Sequence, residues 1–266
     1  PGGRFRMGSR DPVAVLADGE GPVREVEVGG FWIDACAVRN SEFDAFVRAT
    51  GYRTLAELSG VSFVFAGLLP EDFPPTRGIA HAPWWREVEG AHWRFPEGPH
   101  SHLEDRGDHP VLHVALQDAR AYAQWAGKRL PGESEWEYAA RGGLDQCRYP
   151  WGNELSPGGE ARCNIWQGEF PNSNSLEDGY YGTAPVDTYA PNGYGLYNSV
   201  GNTWEWCDGA FDHEQQVIRG GSYLCHPSYC FRYRCSARTG TDPQAATGHL
   251  GFRCARDEAP DESAGQ

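Results

Sequence analysis

The sequence has few basic residues, and this shortage excludes whole classes of partner. Its 266 residues include 23 Lys and Arg against 37 Asp and Glu, which gives a net charge of -14 at pH 7. A nucleic-acid-binding surface needs clustered positive charge to neutralise phosphates. We therefore expect no nucleic-acid partner. The acidic balance suits bound cations or a basic peptide instead.

Long apolar runs are missing too. No stretch approaches the roughly 20 apolar residues that a membrane-spanning helix requires, so we expect no membrane segment. The sequence also lacks low-complexity linkers, fixed-period repeats and sharp changes in charge. These absences predict a single domain over residues 1–266, with flexible ends at 1–10 and 258–266.

Glycine, proline and aromatic residues are abundant. Thirty-four Gly and 19 Pro indicate many turns, while 13% aromatic residues, with ten Trp, are typical of a compact globular protein. Turn formers interleaved with aromatics dominate from Pro150 onward. Backbone of this kind cannot pair with itself in regular ladders, so side chains, water or metal ions must satisfy it. We expect an irregular, loop-rich second half.

Three helices are predicted from apolar spacing and terminal residues. They run from an Asn40 or Ser41 cap to Gly51, from Gln117 to Ala126, and from just after Pro131 to Gly142. Alternating residues at 23–28 and 31–33 predict strands. Helices in the first half and irregular chain afterwards indicate an α+β fold.

Cysteines at positions 225, 230 and 235 recur every five residues. Residues five apart on a straight strand lie roughly 16 Å apart and face opposite sides. Cys225 and Cys230 can therefore meet only across a turn, for which His226-Pro227-Ser228 is suited. Three interpretations remain open on spacing alone. They are a local disulfide or unrelated core thiols, a zinc site without the usual short gap within its ligand pair, and a soft-metal site suited to Cu(I).

The neighbouring residues favour the third interpretation. The segment Gly220–Arg238, followed by Leu250-Gly251-Phe252-Arg253-Cys254, closely resembles the formylglycine-generating enzymes, also called sulfatase-modifying factors. The resemblance extends back through Gly201-Asn202-Thr203-Trp204-Glu205-Trp206 and Trp125–Pro131, and it covers nearly the whole chain. It implies a single irregular, loop-rich domain of that type, related to C-type lectin-like folds.

The resemblance implies that Cys225 and Cys230 bind one Cu(I) ion between their thiolates and are essential for turnover. The substrate cysteine would join them as a third sulfur ligand, O₂ would be the co-substrate, and hydrolysis would yield an aldehyde. Ser222 matches a catalytic position of the same pocket, and Trp204 and Tyr229 match substrate-binding positions. Without the resemblance, these three residues are interpreted as ordinary turn or core residues.

The resemblance also implies the substrate, an unfolded sulfatase polypeptide with the motif Cys-x-Pro-x-Arg. We expect a monomeric enzyme to bind this motif in an extended groove beside Cys225. Trp204, Tyr223, Tyr229 and Phe231 would form an apolar wall for the proline. Acidic residues would pair with the arginine. Arg232 and Arg234 stand nearby in the sequence and would oppose that pairing.

Two structural calcium sites are implied as well. The first set is Asn164, Ile165, Asp178 and Tyr180. The second set is Asn198, Gly201, Thr203 and Glu205, with Thr203 in place of a small apolar residue. Side-chain and main-chain oxygens from irregular backbone are typical Ca²⁺ ligands, and we expect them to lie away from the thiols. On the residues alone, solvated loop acids are the simpler interpretation of Asp178 and Glu205.

Two helix positions bear on the cellular compartment. Secretory members of the family link helix cysteines to the positions of Cys254 and Cys235, whereas this chain has Ala123 and Ala140 at the helix positions. Neither bridge can form here, which indicates a reducing compartment. We therefore expect a bacterial cytoplasmic enzyme.

Two other functions fit parts of the sequence. An iron-dependent sulfoxide synthase of the same fold requires His-x₃-His-x-Glu, and His109 and His113 have this spacing, but Ala115 replaces the Glu. The stretch 109–114 is predicted instead to be a strand that enters the core. A lectin-like binding module would share the fold, but it has no use for the paired cysteines. Copper content and oxygen uptake would separate these functions.

Overall fold

The protein is described here by a computed structural model covering residues 1–258. Its helices are α1 (Asn40–Thr50), α2 (Leu55–Ser59), α3 (Leu116–Trp125) and α4 (Glu133–Arg141). Its strands are β1 (Gly3–Met7), β2 (Arg24–Val28), β3 (Phe31–Ile33), β4 (Val61–Phe65), β5 (Gly78–Ile79), β6 (Ala82–Glu89), β7 (Gly168–Glu169), β8 (Ser173–Asn174), β9 (Trp204–Ala210), β10 (Gln216–Arg219), β11 (Arg238–Thr241), β12 (Leu250–Gly251) and β13 (Ala255–Asp257). This mixture of a few helices and short strands within long loops confirms the α+β prediction. No helix within the described residues is long and apolar enough to cross a membrane.

The three predicted helices are confirmed to within two residues at each end. α1 buries Phe43 and Phe46 on one face and ends at Gly51, whose φ of 68° only glycine adopts at little cost. α2 was not predicted, because five residues are too few to show a period. Its signal is instead a capping box, in which Thr54 accepts a hydrogen bond from the Glu57 N–H and Glu57 accepts one from the Thr54 N–H.

The strands form several small sheets rather than one large one. The four-stranded sheet has the order β11-β10-β9-β12, with β9 antiparallel to β10 and parallel to β12. A three-stranded sheet has the order β4-β6-β5. The remaining pairs are β1-β2, β13-β3 and β7-β8. The predicted strands at 23–28 and 31–33 are confirmed as β2 and β3.

The prediction of a flexible beginning is wrong for residues 3–7. They form β1, which pairs antiparallel with β2 from Gly3 opposite Val28 to Met7 opposite Arg24. Met7 is buried, so this strand is held by packing as well as by its ladder. The predicted flexible end at 258–266 lies, apart from residue 258, outside the described residues.

The stretch 109–114 enters the core but is not a regular strand, so that prediction is wrong in part. Val111 and Val114 are fully buried, as expected. Pro110 forms only an isolated bridge with Arg39, and His113 has a φ of 58° that interrupts extended backbone.

The beginning of the chain packs against the residues that follow Cys230. Arg234 donates to both carboxylate oxygens of Glu20 at 2.6 Å, and the Nε of Arg232 donates to Asp18 at 2.6 Å. Glu20 and Arg234 are each 1% exposed. These pairs fix the segment that carries the cysteines against residues 18–20.

Candidate metal and substrate site

Cys225 and Cys230 meet across a tight turn. Their sulfur atoms lie 2.8 Å apart, and the two residues are 1% and 8% exposed. The backbone N–H groups of Tyr229 and Cys230 both donate to the carbonyl of His226, at 2.9 and 2.7 Å. The turn predicted at His226-Pro227-Ser228 is therefore confirmed, and both cysteines are free thiols.

The two thiols differ in acidity. Burial raises the pKa of Cys225 well above its ordinary value, because a thiolate loses hydration there. The pKa of Cys230 is lowered, first because the Cys225 thiol donates a hydrogen bond to its sulfur and also because Arg232 lies near. Of the two thiols, Cys230 is therefore the one that loses its proton more readily.

Ser222 contacts the thiol pair through its backbone. Its N–H points at the Cys225 sulfur over 3.3 Å, and its carbonyl accepts the Cys225 N–H at 2.9 Å. The preceding Gly221 has a φ of 74°, and a Cβ there would come within 3.1 Å of the Tyr233 nitrogen. Glycine is therefore needed to bring Ser222 onto the sulfur.

Trp204 and Tyr229 occupy different environments. Trp204, at the start of β9, is 4% exposed and belongs to the same buried apolar cluster as Cys225 and Cys230. Tyr229 is 39% exposed. Its ring stacks on Phe170 with centroids 4.6 Å apart and planes at 2°, while the Trp84 ring meets it edge-on at 4.8 Å. We call Trp84, Phe170 and Tyr229 the aromatic platform.

Of the residues expected to form the apolar wall, Tyr229 has the exposed side chain that such a wall requires. Tyr223 is 1% exposed and donates its hydroxyl to the carbonyl of Gly248, so it is a core residue. Phe231 packs edge-on against Tyr233 at 5.0 Å. Sequence reasoning missed Trp84 and Phe170. Adjacent residues on β6 point to opposite faces, so the Trp84-Trp85 pair was a signal for one outward-facing aromatic ring.

The first proposed calcium set surrounds a buried carboxylate. Asp178 is 7% exposed and accepts the backbone N–H groups of Ile165 and Tyr180 at 3.0 and 3.1 Å. Burial raises its pKa, because the ionised carboxylate loses hydration there, and no Lys or Arg within residues 1–258 forms a salt bridge with it. The amide oxygen of Asn164 is buried and lacks a hydrogen-bond partner in the described chain. A buried carboxylate without a basic partner, next to an amide oxygen without a donor, fits a cation.

The loop that carries this set is joined to the thiol turn by backbone hydrogen bonds. The N–H of Trp166, the residue after Ile165, donates to the carbonyl of Cys225 at 3.1 Å. Asn164 also accepts the Asn202 N–H at 2.7 Å, and the Asn202 carbonyl accepts the Tyr223 N–H at 3.1 Å. The loop backbone around Asn164 and the thiol turn are thus one hydrogen-bonded unit.

The second proposed calcium set is less open to a cation. The side-chain oxygen of Asn198 is buried without a partner among the described residues, which fits a ligand. The Glu205 carboxylate, however, already accepts hydrogen bonds from Arg253 at 2.7 and 2.8 Å and from Trp136 at 2.7 Å. Arg253 balances its charge. Any cation here would depend mainly on Asn198 and main-chain oxygens, Thr203 included.

A family model for the sulfatase-modifying factor enzyme 1-like domain matches residues 1–258. The chain belongs to this family. It is 55% identical to the formylglycine-generating enzyme of Thermomonospora curvata, over 97% of this chain and 92% of that protein. It is 52% identical to the formylglycine-generating enzyme of Mus musculus, over 98% of this chain and 74% of that protein.

The chain is also similar to a protein that is named as inactive. The chain is 47% identical to the inactive C-alpha-formylglycine-generating enzyme 2 of Bos taurus, over 96% of this chain and 86% of that protein. Among solved structures, PvdO from Pseudomonas aeruginosa is similar, with a TM-score of 0.70 and 26% identity over 97% of this chain and 92% of that one. Family membership and turnover are therefore separate questions, and the site must decide the second.

The iron motif considered from the sequence has no metal cluster around it. The Nδ1 of His109 lies 2.9 Å from the Thr183 hydroxyl, and that of His113 lies 2.7 Å from the Ser62 hydroxyl. Burial lowers the pKa of His113 to about 3, so its ring is neutral. Across residues 1–258, no three His, Cys, Asp or Glu side chains gather into a metal site.

Ala140 lies next to Cys235 in the structure, as expected from the sequence. The Cys235 sulfur lies 3.8 Å from the carbonyl of Ala140, the helix residue that stands where a bridging cysteine would be. All eight cysteines of the chain, including Cys254, are free thiols.

Proposed function

We propose that this chain oxidises a cysteine in a sulfatase-type polypeptide to Cα-formylglycine, using copper and O₂, and so activates sulfatases. The observation that carries the proposal is the close approach of two buried thiols, Cys225 and Cys230, beside an aromatic platform on which the ring of Tyr229 is exposed. Relatives at 52% and 55% identity that are named formylglycine-generating enzymes support it.

The donor set fits Cu(I). Cys225 and Cys230 supply two soft sulfurs, and no third His, Cys, Asp or Glu of the described chain joins them. Zinc usually takes four ligands, whereas soft thiolate donors in small number suit Cu(I). Copper held there would supply affinity for the substrate thiol and electron transfer to O₂.

The residues around Cys225 and Cys230 shield the two sulfurs from water and offer them hydrogen bonds. Burial keeps water away from both, and the Ser222 N–H offers a hydrogen bond to negative charge on Cys225. Burial also raises the pKa of Tyr229, so its phenol keeps its proton at neutral pH and can donate a hydrogen bond beside Cys230. Trp204, in the same buried apolar cluster, would form the apolar side of the substrate site.

The substrate would bind as an unfolded segment with the motif Cys-x-Pro-x-Arg. Its proline would pack on the aromatic platform, where Tyr229 precedes Cys230 in the chain. The arginines expected to repel the substrate arginine are neutralised, because Arg232 pairs with Asp18 and Arg234 with Glu20. The net charge of -14 then favours a basic peptide.

Calcium would act on the fold rather than in the reaction. Asn164, Ile165, Asp178 and Tyr180 would hold one ion, and its charge would compensate the buried Asp178. Because Trp166 bonds to Cys225, an ion at this set would also stiffen the thiol turn. The second ion would be held by Asn198, Gly201, Thr203 and Glu205, more weakly because of Arg253.

We also propose that the enzyme works as a monomer in a bacterial cytoplasm. The support is chemical, since Ala123 and Ala140 replace the cysteines that would secure the fold under oxidising conditions.

The deciding experiment loads the protein with one equivalent of Cu(I) and adds a peptide bearing Cys-x-Pro-x-Arg in aerated buffer with a reductant. Conversion is scored by peptide mass and by capture of the aldehyde with a hydrazide, and oxygen uptake is followed in parallel. A peptide with Ser in place of Cys is the control. Copper binding without aldehyde formation would place this chain with the inactive relative.

A further inference from the structure

Arg232 joins the thiol turn to the beginning of the chain. The Nε of its guanidinium donates to the Asp18 carboxylate at 2.6 Å, and the two side chains are 24% and 13% exposed. The backbone N–H and the guanidinium of Arg232 also approach the Cys230 sulfur as hydrogen-bond donors. One guanidinium is therefore shared between a carboxylate and a proposed copper ligand.

Asp18 is held in place by contacts of its own. It ends a short 3₁₀ helix, and the next residue, Gly19, has a φ of 73°. The Nη1 of Arg238 donates to the Asp18 carbonyl at 2.9 Å, and a Cβ at Gly19 would come within 3.0 Å of that same nitrogen. Glu20, two residues after Asp18, is fixed by Arg234. The Asp18 carboxylate is thus presented to Arg232 by backbone with little freedom to move.

Arg232 differs from the neighbouring Arg234 in what it leaves free. Arg234 is 1% exposed, and Glu20 occupies both of its Nη groups. Arg232 uses its Nε for Asp18, which leaves its Nη groups for a second partner. We therefore interpret Arg234 as an anchor of the backbone and Arg232 as a residue that also serves the thiol pair.

Binding of copper would change the charge of that pair. Thiolates are the ligands, so two neutral thiols that bind one Cu(I) ion release two protons, and two thiolates with one monovalent cation leave one net negative charge. Cys225 and Cys230 are 1% and 8% exposed, so water can do little to stabilise this charge. A fixed cation beside the sulfurs lowers the cost. Arginine suits the role, because its guanidinium stays protonated in proteins whatever the state of the thiols.

We propose that Arg232 is the charge partner of the copper-loaded thiol pair, and that Asp18 shares and so limits its charge. The inference rests on the proposed copper function, although the contacts of Arg232 with Asp18 and Cys230 exist without the metal. It assigns part of the affinity for Cu(I) to a residue outside the ligand pair.

Two variants separate a charge role from a purely structural one. Arg232→Gln and Asp18→Asn break the same ion pair. If the pair only anchors the thiol turn, both changes weaken Cu(I) binding alike. If Arg232 acts on the sulfurs through its charge, Arg232→Gln weakens binding, whereas Asp18→Asn removes the competing negative charge and leaves binding unchanged or tighter.

The test measures the affinity of the full chain for Cu(I), by competition with a Cu(I)-specific chelator under nitrogen at pH 7 with calcium present. We expect Arg232→Gln to weaken the affinity about 10- to 100-fold, as for loss of a charged hydrogen bond. Arg232→Lys keeps the charge without the planar fork, so it should lose less than Arg232→Gln. Wild-type affinity in a folded Arg232→Gln overturns the proposal. A loss of about 10-fold or more in Asp18→Asn overturns it independently, even if Arg232→Gln fails to fold.

The chain offers a matched control pair. The Nε of Arg148 donates to Asp11 at 2.7 Å, and these side chains are 31% and 20% exposed. This pair resembles that of Arg232 and Asp18 in geometry and burial but lies outside the thiol turn. Arg148→Gln and Asp11→Asn make the same changes in net charge and should leave the Cu(I) affinity unchanged. If they shift it as the Arg232 and Asp18 variants do, net charge is the cause and the proposal is overturned.

The same samples, given the motif peptide in aerated buffer with a reductant, separate this inference from the proposed function. Conversion of the peptide by the wild type, with unchanged Cu(I) affinity in Arg232→Gln, overturns the charge role and leaves the oxidase standing. Cu(I) binding that Arg232→Gln weakens, with an intact peptide in the wild-type assay, supports the charge role and overturns the oxidase. A wild type that binds no Cu(I) overturns both.

Discussion

Arg234 holds both carboxylate oxygens of Glu20 at 2.6 Å, although 214 residues separate the two in the chain. The hydroxyl of Ser236 adds a bond of 3.1 Å to the same carboxylate. Because Arg234 lies four residues after Cys230, the pair anchors the backbone that leads out of the thiol turn.

Breaking this pair should be costly. Glu20→Gln leaves the buried Arg234 charge uncompensated, so we expect the free energy of unfolding to fall by about 3–5 kcal/mol in urea titrations. Glu27→Gln is the matched control, since its partner Arg4 and Glu27 itself are 74% and 71% exposed. That change should cost less than about 1 kcal/mol. Equal losses would show that burial of the first pair has no energetic consequence.

The thiol pair should be indispensable for copper. Cys225→Ser and Cys230→Ser each replace a soft sulfur with a hard oxygen, so each should abolish stoichiometric Cu(I) binding and peptide conversion. Cys235→Ser and Cys254→Ser should retain most of both, provided that circular dichroism shows a folded protein. Competition with a Cu(I)-specific chelator measures the binding. Wild-type turnover by Cys230→Ser would contradict the copper mechanism.

The aromatic platform should recognise the substrate proline. Phe170→Ala removes the ring stacked on Tyr229 and should lower kcat/KM for the motif peptide about 10-fold. Changing Pro to Ala in the peptide should cause a similar loss in the wild type and little further loss in Phe170→Ala. Phe95→Ala, far along the chain in a different aromatic contact, is the control. If the losses in kcat/KM from Phe170→Ala and from the change of Pro to Ala in the peptide are fully additive, the proline binds elsewhere.

The substrate arginine should contribute through charge. A peptide with Ala in place of Arg should show a lower kcat/KM, and the difference from the parent peptide should shrink as salt is raised, because exposed charges are screened. Kinetics at low and high ionic strength measure this. If the Arg and Ala peptides react equally at low salt, the acidic surface plays no part in recognition.

Calcium should stabilise the fold through Asp178. A ligand at 100 times its Kd adds about 2.7 kcal/mol, so chelation should lower the wild-type melting temperature. Asp178→Asn should remove most of this dependence and leave only the smaller part that is due to the second, weaker ion, whereas Asp105→Asn at an exposed position should preserve it. Melting curves with and without chelator suffice. An unchanged curve after verified calcium removal would return Asp178 to an ordinary loop acid.

The effect of calcium should also depend on pH. Burial raises the pKa of Asp178 above that of an unfolded carboxyl. In the metal-free protein, ionised Asp178 therefore lowers the free energy of unfolding at pH values above its raised pKa. This destabilisation disappears as the pH falls through the raised pKa towards the ordinary carboxyl pKa. The stability gained from calcium should be larger at pH 7 than near pH 4.5. A gain that is constant with pH in the wild type would argue against ligation by this carboxylate.

The sequence predicted local features well, because their causes are local. Apolar spacing and the glycine ends at Gly51 and Gly142 gave the helices, and the turn formers after Cys225 gave the meeting of the thiols. The aromatic platform could not be predicted, because it joins rings from β6, from the loop at Phe170 and from the thiol turn. The ion pair between Arg234 and Glu20 could not be predicted for the same reason, since Glu20 lies at the other end of the sequence.

The pairing of Glu20 with Arg234 also sets the order in which the enzyme can be completed. At about 5–20 residues per second, the ribosome needs roughly 10–40 s to add the 214 residues from position 21 to Arg234. For most of this interval Arg234 is not available to Glu20, and Cys225 and Cys230 have not yet been synthesised. The thiol turn emerges just before the arginine that anchors it, so this part of the molecule is assembled last, onto a body that has had time to fold.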